Sequence, residues 1–460
     1  MYTMINGIAT ICGKTVPFSF DSEKEFLTLY TSTMPVEIPD GLDTFVGQIL
    51  GTTGKSCFFK LSTPFSNDCI VCGNGEIKSV SNIDQIRAVE YLLEGYTTGS
   101  KYSEMKLSFP ELNYFLPSVE NAKLVDTDFV FSRLKRTAYS FSINYRGTVL
   151  SVSFDTGVNV HTCTNATAET VSQVTLKFPE TEDLEYIYDL FLRVRGFFAF
   201  ICNRQNIGLR NAVLIGFYQT KSLKDKKIVD VLEKTTQTFY PNQKYLEPLE
   251  EQSMLKKVPN SLLFASNLKE LFQLFFEERA GDDAIVGTNS IHPSFKYRNL
   301  IDLKQSLHIT AAFEYYVRSL MPEISSQATI DFIKDLESLL DDYIESATGK
   351  KKKKAKDFKK SLKPQISLEE KALKSFNGYD TWQPLAPILS EWFGDNISTL
   401  ACVVNLWRNE LAHEKREYEP NADVVTAIRL VEHLNYCIIL RHAGYNDDEI
   451  KAILSEVLTR

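Results

Sequence analysis

The spacing of apolar and polar residues changes along the chain, and this change predicts strands in the first part and helices in the last. Residues 1 to about 180 are β-rich in pattern, and the clearest piece is 139–145, where apolar and polar side chains alternate strictly. Arg146 and Gly147 favour a turn. The return strand has its apolar positions at Leu150, Val152 and Phe154. This pattern predicts a β-hairpin with one buried face.

The period becomes helical after residue 180. From 181 to about 202 apolar side chains recur at helical spacing, and acidic residues in the first turn suit a helix N-terminus. A strand-like run at 212–217 follows. Residues 221–260 are polar and weakly patterned, which favours a connector with short elements, and a further helix is predicted over 261–278.

The segment 281–293 is rich in Gly, Asp, Asn and Pro and is the best candidate for a domain boundary. Helical stretches are predicted beyond it at about 295–321, 327–346, 395–415 and 421–442, with a short fifth from Asp447. We therefore predict an α+β multi-domain protein. Its predicted parts are a β-rich N-terminal domain over 1–220, a mixed connector over 221–293 and an all-α helical bundle over 294–460.

Composition limits the functions that fit this layout. The formal net charge is -8, which argues against a protein that coats nucleic acid along its whole surface, so a nucleic-acid role needs a local basic site. The eight cysteines are scattered, as in a reducing compartment. The N-terminus does not resemble a signal peptide, and no window approaches the ~18 to 20 apolar residues of a membrane span. We expect a cytoplasmic protein that makes no contact with a membrane.

A partial phosphate-loop pattern occurs at Gly51, Gly54, Lys55 and Ser56. The full pattern requires a glycine where Ile49 stands, and the loop should open a helix. Residues 57–61 look like a strand instead. A hairpin turn is the expected structure.

Cys69 and Cys72 have the spacing of a zinc knuckle or a redox pair. A structural zinc site needs four ligands, and no second pair lies nearby in the sequence. A strand ending at Gly73 explains the spacing without a metal. A ligand set completed by a distant residue such as Cys57 stays open as an alternative.

The strongest chemical signal lies near the end of the predicted helix 395–415, at Arg408, Asn409 and His413. Asn409 and His413 are four residues apart and share one side of the helix. Arg408 and His413 differ by roughly 140° around the axis and about 7.5 Å along it, a gap that a long arginine can cross. Histidine exchanges protons near neutral pH, and arginine binds two phosphate oxygens at once. These groups suit cleavage of RNA without a metal, although Arg and His near a helix C-terminus are also common surface choices.

A carboxylate on the preceding part of the bundle supports this hypothesis. Glu314 is the charge on an otherwise mostly uncharged stripe of the helix 295–321. A buried carboxylate needs a partner, and Arg408 or His413 on a neighbouring helix would serve. The alternative is that Glu314 lies at the edge of the stripe and reaches water.

Eleven lysines occur between Lys350 and Lys374. The densest part comprises Lys350, Lys351, Lys352, Lys353, Lys354 and Lys356. A block of like charge is usually a solvated, mobile loop, but beside an RNA site in an acidic protein it could attract phosphates. We treat these lysines as candidate RNA contacts.

The arrangement Arg408-Asn409-Glu-Leu-Ala-His413 within a helical bundle resembles the motif of the HEPN ribonuclease superfamily. In that family Arg precedes His by a short gap, often with Asn directly after the Arg. Glu314 falls where many members carry an acidic residue on the first helix. A β-rich N-terminal half before a HEPN domain resembles the ApeA type of bacterial anti-phage protein.

The resemblance implies a metal-independent endoribonuclease without a cofactor. His413 would act as general acid and base, Arg408 on the phosphate, Asn409 in positioning and Glu314 in orientation. The family pairs its HEPN domains, so a homodimer or higher homo-oligomer is expected. Resemblance to the ApeA type implies cleavage of host RNA, tRNA above all, in abortive infection, with the N-terminal domain sensing a phage-derived trigger. Two alternatives are a catalytically inactive module for dimerisation or partner binding, and a zinc enzyme using Cys69 and Cys72.

Overall fold

A computed structural model gives the architecture of the chain, which divides into two compact units. The first comprises residues 1–261 and 275–277, and the second comprises 262–274 and 278–460. The residues that the structure describes are 4–11, 13–21, 26–30, 41–50, 55–62, 70–71, 77–78, 85–116, 122–125, 128–131, 136–161, 167–224, 227–242, 249–278, 284–298, 300–321, 327–362, 366–379, 381–412 and 421–458.

The first unit is built on a large antiparallel sheet. Its strands are β1 (Met4–Ile11), β2 (Lys14–Asp21), β3 (Phe26–Leu29), β4 (Thr44–Ile49), β5 (Ser56–Leu61), β8 (Gln85–Glu94), β9 (Lys101–Leu107), β12 (Arg136–Tyr145), β13 (Thr148–His161), β14 (Thr167–Thr181), β15 (Ala212–Lys224) and β16 (Lys227–Pro241). Two separate ribbons pair β6 (Ile70–Val71) with β7 (Ile77–Lys78) and β10 (Ala122–Val125) with β11 (Asp128–Phe131). The order in the large sheet is β12-β13-β14-β9-β15-β16-β8-β3-β2-β1-β4-β5.

Strand β8 belongs to two parts of this sheet. Its first half pairs with β3, and its second half pairs with both β5 and β16. The β5 pairing closes a ring of six strands, whose interior is filled by an aromatic cluster that includes Phe18, Phe45 and Phe59. A side chain at Gly7 would come within 2.4 Å of the Phe18 ring, so only glycine lets the ring pack there.

The predicted hairpin is confirmed as β12 and β13, with Tyr145 paired to Thr148. Arg146 and Gly147 at its turn both have positive φ, as a tight hairpin requires. The partial phosphate loop at 51–54 lies outside the described residues, but the flanking strands β4 and β5 pair antiparallel, as expected for a hairpin.

Helix α2 (Leu184–Cys202) follows the sheet, and α1 (Pro110–Phe115) and α3 (Gln252–Leu255) are short. Asp183 caps the N-terminus of α2 by accepting from two backbone N–H groups. Aromatic side chains of α2 pack on the sheet, as Phe198 does against Phe154 and Tyr188 against Phe239. Residues 221–241, predicted as part of a connector, instead continue β15 and β16. The prediction of a connector was wrong because it was based on the polar sequence, and many of these polar side chains are exposed on strands.

The second unit is helical. Its helices are α4 (Leu268–Leu274), α5 (Leu303–Leu320), α6 (Gln327–Ser346), α7 (Gly349–Ser361), α8 (Leu368–Asn377), α9 (Ala386–Phe393), α10 (Ile397–Ala412), α11 (Ala422–His442) and α12 (Asp447–Val457). Helix α11 is central, since each residue from Val431 to Leu440 is buried. It packs against α5, α10 and α12. None of the described helices combines the length with the apolar character that crossing a membrane requires.

Several predicted helices differ from the observed ones. The stretch 295–321 begins as a helix only at Leu303, where the Asp302 side chain caps the first turn. The helix predicted over 261–278 is a short turn at Ser261–Phe264 followed by α4. Lysines interpreted as a solvated loop form α7, because lysine favours helix and the acidic helix α6 lies alongside. Helices α8 and α9 were not predicted.

Candidate functional site

The candidate site lies where α5 meets α10. Helix α10 buries Leu400, Val404 and Trp407 on one side, which fixes how the helix is turned. Helix α5 does the same through Phe313 and Val317. Glu314 directly follows Phe313, and Arg408 directly follows Trp407. Each charged residue therefore sits at the margin of its buried stripe.

The structure brings Glu314 and Arg408 into direct contact. Nη2 of Arg408 donates to Oε2 of Glu314 at 2.8 Å. The side chain of Arg408 is 34% exposed, and the side chain of Glu314 is 18% exposed. Of the two partners considered for Glu314 in the sequence, the structure shows the contact with Arg408. Because the pair is still partly exposed to water, part of the donor fork of the arginine is open to a ligand.

A second cation, which sequence reasoning missed, contacts the same carboxylate. Nζ of Lys371 on α8 lies 3.6 Å from Oε1 of Glu314, and the Lys371 side chain is only 14% exposed. Glu314 thus stands between two positive groups, one on each oxygen. The signal available in the sequence was the position of Lys371 beside the buried positions Leu368 and Ala372 of α8, but a lysine-rich region concealed it.

Of the other predicted site residues, Asn409 is exposed on α10, one residue after Arg408. His413 lies outside the described residues, directly after the last residue of α10. On the same helix Leu406 is 52% exposed. The last two turns of α10 therefore expose an apolar and an amide side chain.

The predicted RNA-contacting lysines lie on α7. Lys350, Lys351, Lys353, Lys354 and Lys356 are exposed, and Lys352 is half-buried. Their helix packs against α6, where Lys359 pairs with Asp341. The lysine that contacts Glu314 comes from α8, so the structure does not show the α7 lysines as part of the Arg408 ion pair.

A separate buried charge cluster was also missed by sequence reasoning. Nε2 of His292 lies 2.9 Å from Oε1 of Glu432, and Nη1 of Arg429 donates to Oε2 of Glu432 at 2.6 Å. Arg429 also donates to the carbonyl of Arg298. With His292 wholly buried, this cluster ties the segment 284–298 to α11.

Burial sets the titration of this cluster. Burial alone would raise the pKa of the Glu432 carboxyl, but the hydrogen bond and charge of His292, with Arg429 and His433, hold that pKa well below its usual range. Burial lowers the pKa of His433, against the opposing attraction of Glu432. The Glu432 carboxylate therefore stays ionised, and the His433 ring favours its neutral form.

Within the described residues, no group of three or more His, Cys, Asp or Glu side chains is placed to hold a metal ion. Cys69 and Cys72 lie outside those residues, so the zinc alternative stays a prediction.

Comparison with known proteins finds a family model that matches part of the helical unit. Residues 307–449 match the family model described as Apea-like HEPN. The match begins within α5 and ends in α12, and it includes Glu314, Lys371 and Arg408. No curated protein and no solved structure matches the chain. The resemblance to HEPN domains of the ApeA type is confirmed, as is the β-rich region followed by a helical HEPN domain.

Proposed function

We propose that the chain is a metal-independent endoribonuclease that acts through Arg408 and His413. The observation that carries the proposal is the half-exposed Arg408 guanidinium, held by Glu314 within a segment that matches an HEPN family. HEPN domains are generally ribonucleases, which supports assigning this chemistry to the site.

The proposed reaction uses the RNA's own 2′-hydroxyl. His413 removes the hydroxyl proton as O2′ forms a bond to phosphorus, and the P–O5′ bond breaks as the protonated His413 returns that proton to O5′. The products are a 2′,3′-cyclic phosphate and a 5′-hydroxyl end. Since Glu314 contacts one terminal nitrogen of Arg408, the remaining N–H groups can donate to phosphate oxygens as negative charge builds. Asn409 positions the phosphate or the histidine ring.

The substrate and the setting rest on the ApeA-type resemblance. We propose host RNA, with tRNA first, as the substrate, and cleavage that halts growth of an infected cell. The sheet-rich first unit would respond to a phage-derived trigger. The exposed lysines of α7 would contact phosphates outside the cleavage site, where their charge offsets the acidic character of the whole chain.

The second candidate function is a catalytically inactive HEPN module that dimerises or binds a partner. The exposed Leu406 near the end of α10 favours contact with another protein surface. In the active form the same contact would bring two sets of Arg408 and His413 to one cleft, so the two candidates differ in chemistry rather than in assembly.

Cleavage of labelled tRNA by the purified chain tests the proposal. We expect His413→Ala to abolish cleavage while the fold and the oligomeric state are retained. The matched control is His308→Ala, which removes another imidazole from the same unit, on α5. Equal cleavage by His413→Ala and wild type would exclude the assigned mechanism. A wild-type chain without activity on RNA, with or without candidate triggers, would favour the inactive module.

A further inference from the structure

Helices α6 and α7 form an antiparallel hairpin with an unusual pattern of burial. Of residues 331–346 of α6, whose side chains the structure describes, none is buried. Yet this stretch includes the large apolar residues Phe332, Leu339 and Tyr343, which are 61%, 65% and 48% exposed. In α7, Phe358 is 57% exposed. A helix in water gains most of its stability by packing an apolar face, so the exposed apolar side of α6 is a candidate contact surface.

The apolar residues of α6 fall on two seams. The inner seam is Ile333, Glu337, Leu340 and Ile344, and all four are half-buried, as expected for side chains packed against α7. The outer seam is Phe332, Leu336, Leu339 and Tyr343, in which only Leu336 is half-buried. Both seams have the 4-3-4 spacing of helix–helix packing.

The two seams differ in register by one residue, which is about 100° around the helix. A helix in a four-helix bundle contacts neighbours on two adjacent sides, roughly a right angle apart. Among the residues that the structure describes, α6 therefore has the surface of a bundle helix that packs against α7 along one side and is exposed along the other. The outer seam fits a second helix rather than a flat surface or a small ligand.

The charges identify which helix would fit. Helix α6 carries six acidic residues and one lysine, whereas α7 carries eight lysines and one aspartate. Within the hairpin this contrast already forms the pair between Asp341 and Lys359. Beside the outer seam lie Asp335 and Asp342, which favour a basic helix. The same carboxylates disfavour a nucleic-acid backbone on this seam.

Helix α7 offers the complementary surface. Lys351, Lys354 and Phe358 follow one another at spacings of three and four, so they share one side of α7, and all three are exposed. The aliphatic stems of the lysines can cover the apolar seam while their ammonium groups reach the aspartates. A chain that carries both surfaces can pair with a copy of itself about a two-fold axis, using each surface once.

We propose that the hairpin is a self-association surface, through which two copies of the chain form a four-helix bundle with α6 of each copy against α7 of the other. The bundle buries the outer seam and engages Lys351 and Lys354, so these two no longer count among the lysines proposed to contact RNA. Lys353 and Lys356, on another side of α7, remain accessible to RNA. The family resemblance implies a different contact, which pairs the cleavage sites. The contact proposed here is formed by α6 and α7 and does not require that the chain cleaves RNA.

Charge exchange between α6 and α7 tests the proposal on the full-length chain. Every chain in this test carries Leu406→Asp, which weakens the contact proposed near the cleavage sites, so that the wild-type hairpin is the surface compared with its variants. The first variant is Asp335→Lys with Asp342→Lys, and the second is Lys351→Glu with Lys354→Glu. Sedimentation equilibrium should show a wild-type dimer and, for each variant alone, a dimer dissociation constant raised at least about 100-fold, because like charges then face each other. An equimolar mixture of the two variants should restore the dimer as a heterodimer, seen by native mass spectrometry.

The control is Lys353→Glu with Lys356→Glu, which makes the same charge change on another side of α7 and should dimerise like wild type. Circular dichroism checks that each variant is folded. A wild-type chain that stays monomeric at its highest soluble concentration would overturn the proposal. So would variants that dimerise normally, or a mixture that does not recover the dimer. These readouts do not depend on cleavage, so they fail or succeed independently of the ribonuclease proposal.

Discussion

Glu314 and Arg408 lie 94 residues apart in the chain and join α5 to α10 through a contact of 2.8 Å. Lys371 approaches the other oxygen of the same carboxylate from α8. Three helices thus converge on one carboxylate, and the arginine it holds is the group proposed to meet the phosphate. An isolated partly exposed pair contributes little to stability, so the value of this contact is its geometry.

Glu314→Gln tests whether the carboxylate positions Arg408. The amide keeps the shape of the side chain but removes its charge, so Arg408 is held less firmly. We expect kcat for RNA cleavage to fall by about 10- to 100-fold, with RNA binding retained or strengthened because two cations lose their counter-charge. Steady-state kinetics and binding of a 2′-O-methyl RNA measure the two effects. Glu370→Gln, which disrupts an exposed pair with Lys374, is the control and should leave both unchanged.

Lys371 offers a second test of the same arrangement. When Arg408 turns toward a phosphate, Lys371 can keep Glu314 paired, which avoids an unpaired half-buried carboxylate. We expect Lys371→Met to lower kcat/KM by about tenfold. Lys371→Arg should restore most of it. In the Glu314→Gln background, Lys371→Met should have little further effect, because no carboxylate needs holding. Additive losses in this double-mutant cycle would contradict the coupling.

The buried cluster at α11 predicts a stability effect without an effect on chemistry. Glu432→Gln removes the buried charge that pairs with His292 and Arg429, and leaves the half-buried guanidinium without its counter-ion. We expect a loss of about 3 to 5 kcal/mol in the free energy of unfolding. Urea denaturation measures it. A loss below about 1 kcal/mol would show that the cluster contributes little to folding.

His433 predicts how stability changes with pH. Burial lowers the pKa of His433, so the folded state takes up this proton at lower pH than the unfolded chain. Stability from the neutral ring is present above the unfolded pKa of ~6.5 and is lost as pH falls toward the folded pKa. We expect the free energy of unfolding to decrease between about pH 7 and pH 5. His433→Phe, which keeps an aromatic ring beside Trp392 and Phe393, should flatten this part of the profile.

Much of the fold was predictable because local pattern and tertiary packing agree. In α11 and α12 the apolar periodicity begins at the capping residues Asn421 and Asn446. The sequence therefore predicted both that these helices exist and where they begin. The β12–β13 hairpin was predictable because the turn residues and the alternation of apolar and polar side chains indicate the same pairing. Over 349–359, where the structure describes the side chains of α7, the one buried residue is the small Ala355, so the apolar stripe on which the prediction depended is missing there.

The candidate site was predictable only in part. Arg408 and Glu314 stand out because each is a charge beside a buried stripe, and a buried charge requires a partner. Lys371 could not be singled out, since nothing in the sequence shows that α8 passes near Glu314. The network of His292, Arg429 and Glu432 likewise depends on a contact across 140 residues, which periodicity does not encode.

The most direct test of the ribonuclease proposal is the chemistry of the cut ends. Wild-type chain is incubated with RNA in EDTA, beside Arg408→Ala and a substrate carrying a single 2′-deoxy nucleotide at the mapped cleavage position. We predict 2′,3′-cyclic phosphate and 5′-hydroxyl ends from wild type, at least about a 100-fold slower rate from Arg408→Ala, and no cut at the deoxy position. Cleavage that survives the deoxy substitution, or that needs a divalent metal, would contradict the proposed mechanism.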